Sequence, residues 1–149
     1  MYRRELEGCE KILGPDHPDT LTGIGNLAVV LESQGKYDES EAMNRRALRG
    51  REKILGPDHP DTLTSVGNLA SVLESQEKYG ESEAMYRREL EGCEKILGPD
   101  HPDTLTSVNN LAIVLQSQEK YDESEAMNRR ALEGRENILG LDHPDTLTS

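Results

Sequence analysis

A recurring Asp-His-Pro-Asp motif combines residue types that could bind a metal ion or transfer protons. It contains all 4 histidines of the chain, which are His17, His59, His101 and His143. The histidines recur at a constant interval of 42 residues. A metal ion needs its ligands within about 2–2.5 Å, so histidines in separate structural units cannot converge on it. We therefore expect turns and helix starts at this motif, and we expect no metal and no cofactor.

Pairs of arginines could form a basic stripe that binds phosphate groups. Each later pair has a glutamate at the i,i+4 spacing (Glu41, Glu83 and Glu125), which favours ion pairing along a helix. The net charge of -12 also opposes nucleic acid and anionic membranes as main partners. A protein or peptide partner that is basic or neutral is more compatible with this charge.

Cysteine content and hydropathy favour a cytoplasmic location. The 2 cysteines, Cys9 and Cys93, occupy equivalent positions two repeats apart, which is too far for an intramolecular disulfide. A reducing compartment fits this pattern. No apolar run approaches the roughly 20 residues of a membrane span, and the first residues lack the apolar stretch of a signal peptide.

The elements that carry these residues are near-copies of one another. The block Leu-Gly-Pro-Asp-His-Pro-Asp-Thr-Leu-Thr begins at Leu13, Leu55 and Leu97, and it returns with one change at Leu139. A repeat of roughly 20–50 residues indicates a stacked array of small supersecondary units. Such an array presents an extended surface instead of a closed, dry pocket. Because no Gly-rich phosphate loop or nucleophile with a neighbouring histidine occurs either, we expect no catalytic residues and no enzyme activity.

Each repeat contains two helical patterns and no strand pattern. From Pro60, apolar residues recur at helical spacing as far as Leu73, and we name this segment helix A. Helix B begins near Tyr79 and ends at Gly98, which precedes a proline. The apolar stripe predicted to face inwards on helix B comprises Tyr79, Ser82, Met85, Tyr86, Leu90, Cys93, Ile96 and Leu97. The bends are short, so A and B are predicted to pack antiparallel.

The repeat resembles the tetratricopeptide repeat (TPR). The shared features are the Leu111-Ala112 pair, Leu115, Tyr121 after a polar bend, and Ala131-Leu132. The longer period and the linker are similar to the repeats of kinesin light chains and of NLR-type (STAND) proteins. The sequence departs from the family where a small alanine is Ser40, Ser82 or Ser124, and where Gly8, Gly50, Gly92 and Gly134 interrupt helix B. Each such glycine costs about 1 kcal/mol relative to alanine.

The resemblance implies an all-α fold, a right-handed superhelical solenoid of antiparallel helix pairs with TPR-like, 42-residue repeats. We expect a single array over residues 1–149. Its segments are a partial repeat with helix B (1–14), three repeats (15–56, 57–98 and 99–140) and the start of a further helix A (141–149). Neither end carries the polar cap of a terminal repeat, which favours a piece of a longer array.

Helix A differs between repeats along one face. In the first repeat the variable positions Gly25, Val29 and Glu32 lie at i, i+4 and i+7. In TPR arrays the corresponding face lines the concave groove that binds peptides. The resemblance therefore implies a partner-binding concave face made of Thr22, Gly25, Val29, Glu32, Ser33, Thr64, Gly67, Ser71, Glu74, Ser75, Thr106, Asn109, Ile113, Gln116 and Ser117. The alternative is a solvated face that varies freely.

Other positions of helices A and B are predicted to pack. Helix A keeps Leu27, Ala28 and Leu31 unchanged on its opposite face, as expected of a core. Helix B alternates between two sets of residues, which are Tyr86, Glu89 and Cys93 in one repeat and Asn44, Ala47 and Arg51 in the repeat before it. We interpret this alternation as a compensated packing contact, with a second binding site as the alternative.

Two functions fit these observations. One is a protein-interaction scaffold that binds a peptide or protein in the concave groove. The other is an architectural spacer or self-stacking segment of a longer array, for example the sensor repeats of an NLR-like protein. Apolar residues at the uncapped ends (Leu6, Ile12, Leu13 and Leu147) additionally predict head-to-tail self-association.

Overall fold

The computed structural model describes residue 14 and residues 17–139, and within them it contains six α-helices and no strand. Helix A of each repeat is α1 (Pro18–Ser33), α3 (Pro60–Ser75) or α5 (Pro102–Ser117). Helix B of each repeat is α2 (Tyr37–Leu55), α4 (Tyr79–Leu97) or α6 (Tyr121–Leu139). The predicted all-α class is confirmed, and helix A is shorter than helix B in each described repeat. None of the described helices is both long and apolar enough to cross a bilayer.

These helices fall into two compact units. Unit 1 ends at Lys78 and contains α1, α2 and α3, and unit 2 begins at Tyr79 and contains α4, α5 and α6. In unit 1 the central helix α2 packs against α1 and α3, and in unit 2 the central helix α5 packs against α4 and α6. Each unit therefore contains one complete A–B hairpin and one helix of another repeat.

Every helix A starts at a proline and is capped by the histidine before it. The backbone N–H of Asp61 donates to Nδ1 of His59 at 3.1 Å, and His17 and His101 accept in the same way. Proline has no N–H to leave unpaired at this position, and aspartate in the first turn complements the helix dipole. Proline and aspartate thus have their predicted helix-starting role, and the histidine adds the side-chain cap.

The core of each unit is formed mainly by the unchanged side of helix A. The predicted core residues Leu27, Ala28 and Leu31 are all buried in unit 1. Their equivalents on α5, Leu111 and Leu115, are fully buried in unit 2. Burial of a leucine side chain stabilises a fold by about 1.5–3 kcal/mol, so these positions tolerate little change.

The predicted inward stripe of helix B is correct over most of α4 and wrong at its end. Ser82, Tyr86, Leu90 and Cys93 are buried. Ile96 and Leu97, however, are 42% and 38% exposed. Helix B has 19 residues and helix A has 16, so the last turn of helix B extends past the neighbouring helix of its unit.

Both departures from the TPR pattern have a structural cause. The buried Ser40 hydroxyl donates to the Ala28 carbonyl at 2.7 Å, and Ser124 donates to the Ala112 carbonyl at 2.9 Å. Gly50 lies where a Cβ atom would come within 2.5 Å of Leu21 Cδ2. The same conflict with a leucine of helix A occurs at Gly134, so these glycines allow the hairpin to close.

Several sequence predictions concern residues outside the described part of the chain. They include His143, Cys9 and Gly8, the partial repeats at 1–13 and 141–149, and the apolar residues Leu6, Ile12, Leu13 and Leu147.

Candidate functional site

The helix A face, meaning the fifteen residues predicted above to bind a partner, lies at the surface of both units. Each of these residues is exposed or half-buried, in contrast to the opposite side of the same helices. Val29 on α1 and Ile113 on α5 are 54% and 46% exposed. A large aliphatic side chain that projects from a row of small polar residues gives each unit an apolar contact point.

In unit 1 the structure brings three predicted site residues together across two repeats. The hydroxyls of Ser71 and Ser75 on α3 donate to Oε1 of Glu32 on α1 at 3.3 Å and 3.4 Å. Helices α1 and α3 therefore present one continuous polar surface at their C-terminal ends. Sequence reasoning named each residue but could not place them in contact, because the offset between neighbouring repeats is a property of packing.

The Thr and Ser hydroxyls along this face are satisfied mainly by their own helices. Thr64 donates to the Pro60 carbonyl at 3.1 Å, and Thr106 donates to the Pro102 carbonyl at 3.0 Å. Ser117 donates to the Ile113 carbonyl at 3.2 Å in the same i to i−4 manner. Each oxygen keeps lone pairs for a hydrogen bond from a partner.

Charge is distributed unequally between the two kinds of helix. Helices α1 and α3 contain aspartate and glutamate, and α5 contains aspartate, but none of the three contains lysine or arginine, whereas helix B carries both signs. Among the described residues, Glu32 has no lysine or arginine nitrogen within ion-pair distance. The helix A face of unit 1 is consequently acidic, and its carboxylates are not neutralised from within α1 or α3.

Two helix B carboxylates, by contrast, are neutralised by ion pairs within their helix and with the next repeat. Glu41 accepts from Arg45 at 2.7 Å and from Lys78 at 3.0 Å. Glu83 accepts from Arg87, Lys120 and Gln118 at 2.8–3.0 Å. Burial raises the pKa of Glu83, but the hydrogen bonds from these three side chains outweigh it and bring the pKa to about 2. The predicted i,i+4 pairing of glutamate and arginine is confirmed at Arg45, Arg87 and Arg129.

The alternating residues of helix B contact a serine on the next helix A. In unit 1 Arg51 donates to Ser65 Oγ at 2.7 Å and to the Asp61 carbonyl at 3.2 Å. In unit 2 the Ser107 hydroxyl donates to Glu89 at 3.1 Å. A hydroxyl can both accept from a cation and donate to a carboxylate, so one serine serves both sets. This contact accounts for the alternation as packing.

Burial changes the pKa values of two ionisable side chains where α4 packs against α5. Burial raises the pKa of the Glu89 carboxyl, and the Ser107 hydrogen bond offsets part of this rise. Burial also raises the pKa of the Cys93 thiol, which is a free cysteine. Cys93 is therefore held as a thiol, which suits a packing role.

Residues 14 and 17–139 contain no cluster of three metal-ligating side chains. His17, His59 and His101 each cap a different helix, so they are separated by whole repeats. Nothing in their arrangement supports the metal or acid–base chemistry that the Asp-His-Pro-Asp motif could have provided.

Comparison with known proteins supports the repeat assignment. A family model described as "Tetratricopeptide repeat" matches residues 1–53, 21–91, 65–137 and 107–149, and thus the whole chain. No curated protein sequence matches the chain.

Solved structures share the fold at low sequence identity. The chain is similar to BtubC (BKLC) from P. vanneervenii, with 20% identity, a TM-score of 0.87 and coverage of 96% of this chain and 57% of BtubC. It is also similar to a variant of a Podosopora anserina protein described as a kinesin light chain with nearly identical TPR-like repeats. That match has 21% identity, a TM-score of 0.87 and coverage of 99% of this chain and 69% of the other. Because the chain spans 57% of the length of BtubC, the comparison concerns the repeat fold alone.

Proposed function

Because this chain belongs to the tetratricopeptide repeat family, we propose that it is a non-catalytic scaffold that binds a peptide or protein partner along the helix A face. Repeats of this family are in general protein-interaction modules.

The observation that carries the proposal is the chemical make-up of the helix A face. Val29 offers an exposed apolar contact, and hydroxyls such as those of Thr22 and Ser33 offer hydrogen bonds. At Gly25 a Cβ atom would meet nothing within 4 Å, so open space lies above the middle of α1. A partner backbone can approach closely at such a point.

The mechanism is recognition without chemistry. An extended or helical segment would lie along the face, with backbone hydrogen bonds to the hydroxyls and an apolar side chain on Val29. The net charge of -12 favours a basic or neutral partner over nucleic acid or a membrane. Cys93, a buried free thiol, is compatible with the cytoplasmic location that we propose.

Selection from a display library of random linear peptides, with the whole chain as bait, tests the proposal. The variant Gly25→Trp adds bulk to the middle of the helix A face, where open space receives it. Selected peptides are expected to bind the wild type and to lose at least about tenfold in affinity for Gly25→Trp, which corresponds to about 1.4 kcal/mol.

Gly80→Trp is the matched control. Gly80 lies near the start of α4, outside the helix A face, and a Cβ atom there also meets nothing within 4 Å. This variant should bind the selected peptides as the wild type does. Equal binding by the wild type and Gly25→Trp would contradict the proposal, as would an equal loss in both tryptophan variants.

The architectural alternative predicts a different result. A spacer or self-stacking segment should yield no peptides that depend on Gly25, and it should assemble with rising concentration in sedimentation experiments. That combination would replace the scaffold proposal with the alternative.

A further inference from the structure

We propose that Glu32 of unit 1 receives a lysine or arginine side chain of the partner, so that this part of the helix A face recognises a basic peptide. The inference rests on the proposed function, because it names the chemistry of the partner at that face.

Glu32 is held in place by hydrogen bonds but has no cation paired with it among the described residues. Its Oε1 accepts from Ser71 at 3.3 Å and lies 3.4 Å from the Ser75 hydroxyl, whose single proton is shared with the Ser71 carbonyl at 3.2 Å. A carboxylate of α1 is thus oriented by hydroxyls of α3. In the described part of unit 1, another carboxylate held by hydrogen bonds, that of Glu41, forms ion pairs with Arg45 and Lys78. Glu32 lacks such a cation, and a partner can supply one.

A basic residue of α2, Arg51, reaches α3. Arg51 donates to Ser65 and to the Asp61 carbonyl, at the first turns of α3. Ser71 and Ser75 lie in the last turns of the same helix. Arg51 therefore binds the opposite end of α3 and does not neutralise Glu32.

The groups that surround Glu32 fit a long cationic side chain. An ammonium or guanidinium group could donate to the free Glu32 oxygen and to a serine oxygen, which retains lone pairs. Val29 lies one helical turn before Glu32 and is 54% exposed. Lysine and arginine cover such an apolar group with their methylene chains while the charged end remains polar.

Unit 2 provides an internal contrast. The position of Glu32 and Glu74 is taken by Gln116 on α5, which is uncharged. Ile113 keeps the apolar contact point of that helix, at 46% exposure. The carboxylate that we assign to cation recognition is thus present in unit 1 and absent from α5, although the two faces otherwise have similar composition.

A matched pair of labelled peptides tests the inference with the whole chain. One peptide alternates lysine and valine with glycine between them, and the other has glutamine in place of each lysine. The lysine peptide is expected to bind about tenfold more tightly than the glutamine peptide. Glu32→Gln should remove this difference, and high salt should reduce it, since charge-assisted hydrogen bonds supply it.

The double variant Glu32→Gln with Gln116→Glu separates a specific site from general attraction. It restores the wild-type net charge but moves the carboxylate from α1 to α5. Binding of the lysine peptide should remain about tenfold weaker than in the wild type. Full restoration would overturn the inference, because net charge alone would then account for binding.

Failure of this inference is distinguishable from failure of the proposed function. Equal binding of the two peptides, no effect of Glu32→Gln, or no binding of the lysine peptide to the wild type would each overturn cation recognition. If library peptides still lose affinity for Gly25→Trp in these cases, the helix A face remains a binding site for a partner of other chemistry.

Discussion

One residue in each bend between helix A and helix B adopts a left-handed backbone conformation. It is Gly35 in the first repeat, with φ 77°, and Glu77 and Glu119 in the next two, each with φ 63°. The left-handed region costs a residue with a side chain roughly 1–2 kcal/mol relative to the right-handed one. The first repeat therefore has the residue that this bend requires, and the other two repeats carry strain.

We predict that Glu77→Gly raises the free energy of unfolding by about 0.5–1 kcal/mol. The gain is smaller than the strain itself, because glycine also increases the entropy of the unfolded chain. Glu119→Gly should act in the same direction and Gly35→Glu in the opposite one, as measured by chemical denaturation. Glu91→Gly is the control: Glu91 is exposed within α4, and glycine there should cost about 1 kcal/mol.

Histidine can bind metal ions or transfer protons, but the described histidines have a structural role as helix caps. Each cap needs a ring nitrogen that accepts a hydrogen bond from the first turn of helix A, as His59 does from Asp61. Side-chain caps of this kind stabilise a helix by about 0.5–2 kcal/mol. Repetition of the motif at every helix A follows from this local requirement.

At the scale of the elements, the close approach of two helices explains the glycines of helix B. The first turns of α1 place Leu21, which is buried, directly against Gly50 of α2. An alanine would improve helix propensity by about 1 kcal/mol but would overlap with the leucine side chain. The sequence indicates that this glycine lowers helix propensity, and the packing of the hairpin explains why it is present.

A double-mutant cycle is expected to detect this contact. Gly50→Ala should destabilise the wild type by about 1–3 kcal/mol through overpacking. In a Leu21→Ala background the same change should stabilise, which gives a coupling energy of about 0.5–3 kcal/mol. Gly25→Ala serves as the control, because a Cβ atom there meets nothing and alanine should stabilise in either background. Additive effects of Gly50→Ala and Leu21→Ala in denaturation experiments would refute the contact.

The contact between helix B and the next helix A explains how two kinds of repeat coexist. Ser65 accepts from Arg51, and the equivalent Ser107 donates to Glu89, so helix A contributes a serine in both cases. A hydroxyl adapts to either charge by rotating its proton. The helix B residue therefore decides whether this serine accepts or donates. The residues of helix B can alternate between repeats while the serine of helix A stays the same.

At the scale of the whole molecule, ion pairs between repeats make stability depend on pH. The hydrogen bonds from Arg87, Lys120 and Gln118 outweigh burial and lower the pKa of Glu83 from 4.5 to about 2. The pKa of Glu41 is lowered too, since hydrogen bonds from Arg45 and Lys78 outweigh burial there as well. A carboxyl whose pKa is lower in the folded state stabilises the fold above the unfolded pKa.

We expect the denaturation midpoint to fall as the pH decreases from about 4.5 towards about 2, because protonation removes these ion pairs. Glu83→Gln should lower stability at neutral pH and flatten the decrease in acid. Glu89 acts in the opposite sense, because its raised pKa favours the folded state at lower pH. A Glu89→Gln variant should therefore deepen the decrease, and a Glu83→Gln profile parallel to that of the wild type would contradict the assignment.

Acidic and basic residues are distributed unequally between the described helices A and B. Basic residues belong to helix B and to bends such as that containing Lys78, where they form ion pairs. Helix A carries acidic groups without basic ones, and Glu32 is the carboxylate oriented across two repeats. The described helices proposed to bind a partner thus contain acidic side chains and no lysine or arginine.

The sequence by itself determined the helices, their order and the family. Pro60 and Gly98 mark helix ends through local backbone geometry, and the apolar period identifies the buried side of each helix. Near-identical repeats make these local signals consistent, which is why the core positions Leu27 and Leu31 could be predicted. The prediction failed at Ile96 and Leu97, since a periodic pattern does not show where the neighbouring helix ends.

Only the tertiary structure decided which side chains meet between repeats. The contact of Glu32 with Ser71 and Ser75, and that of Gly50 with Leu21, depend on the offset and separation of packed helices. Those quantities arise from the fit of many side chains together and are not encoded in the spacing of any single motif. The helix A face could therefore be named from sequence, whereas the orientation of its unneutralised carboxylate, Glu32, emerged from packing.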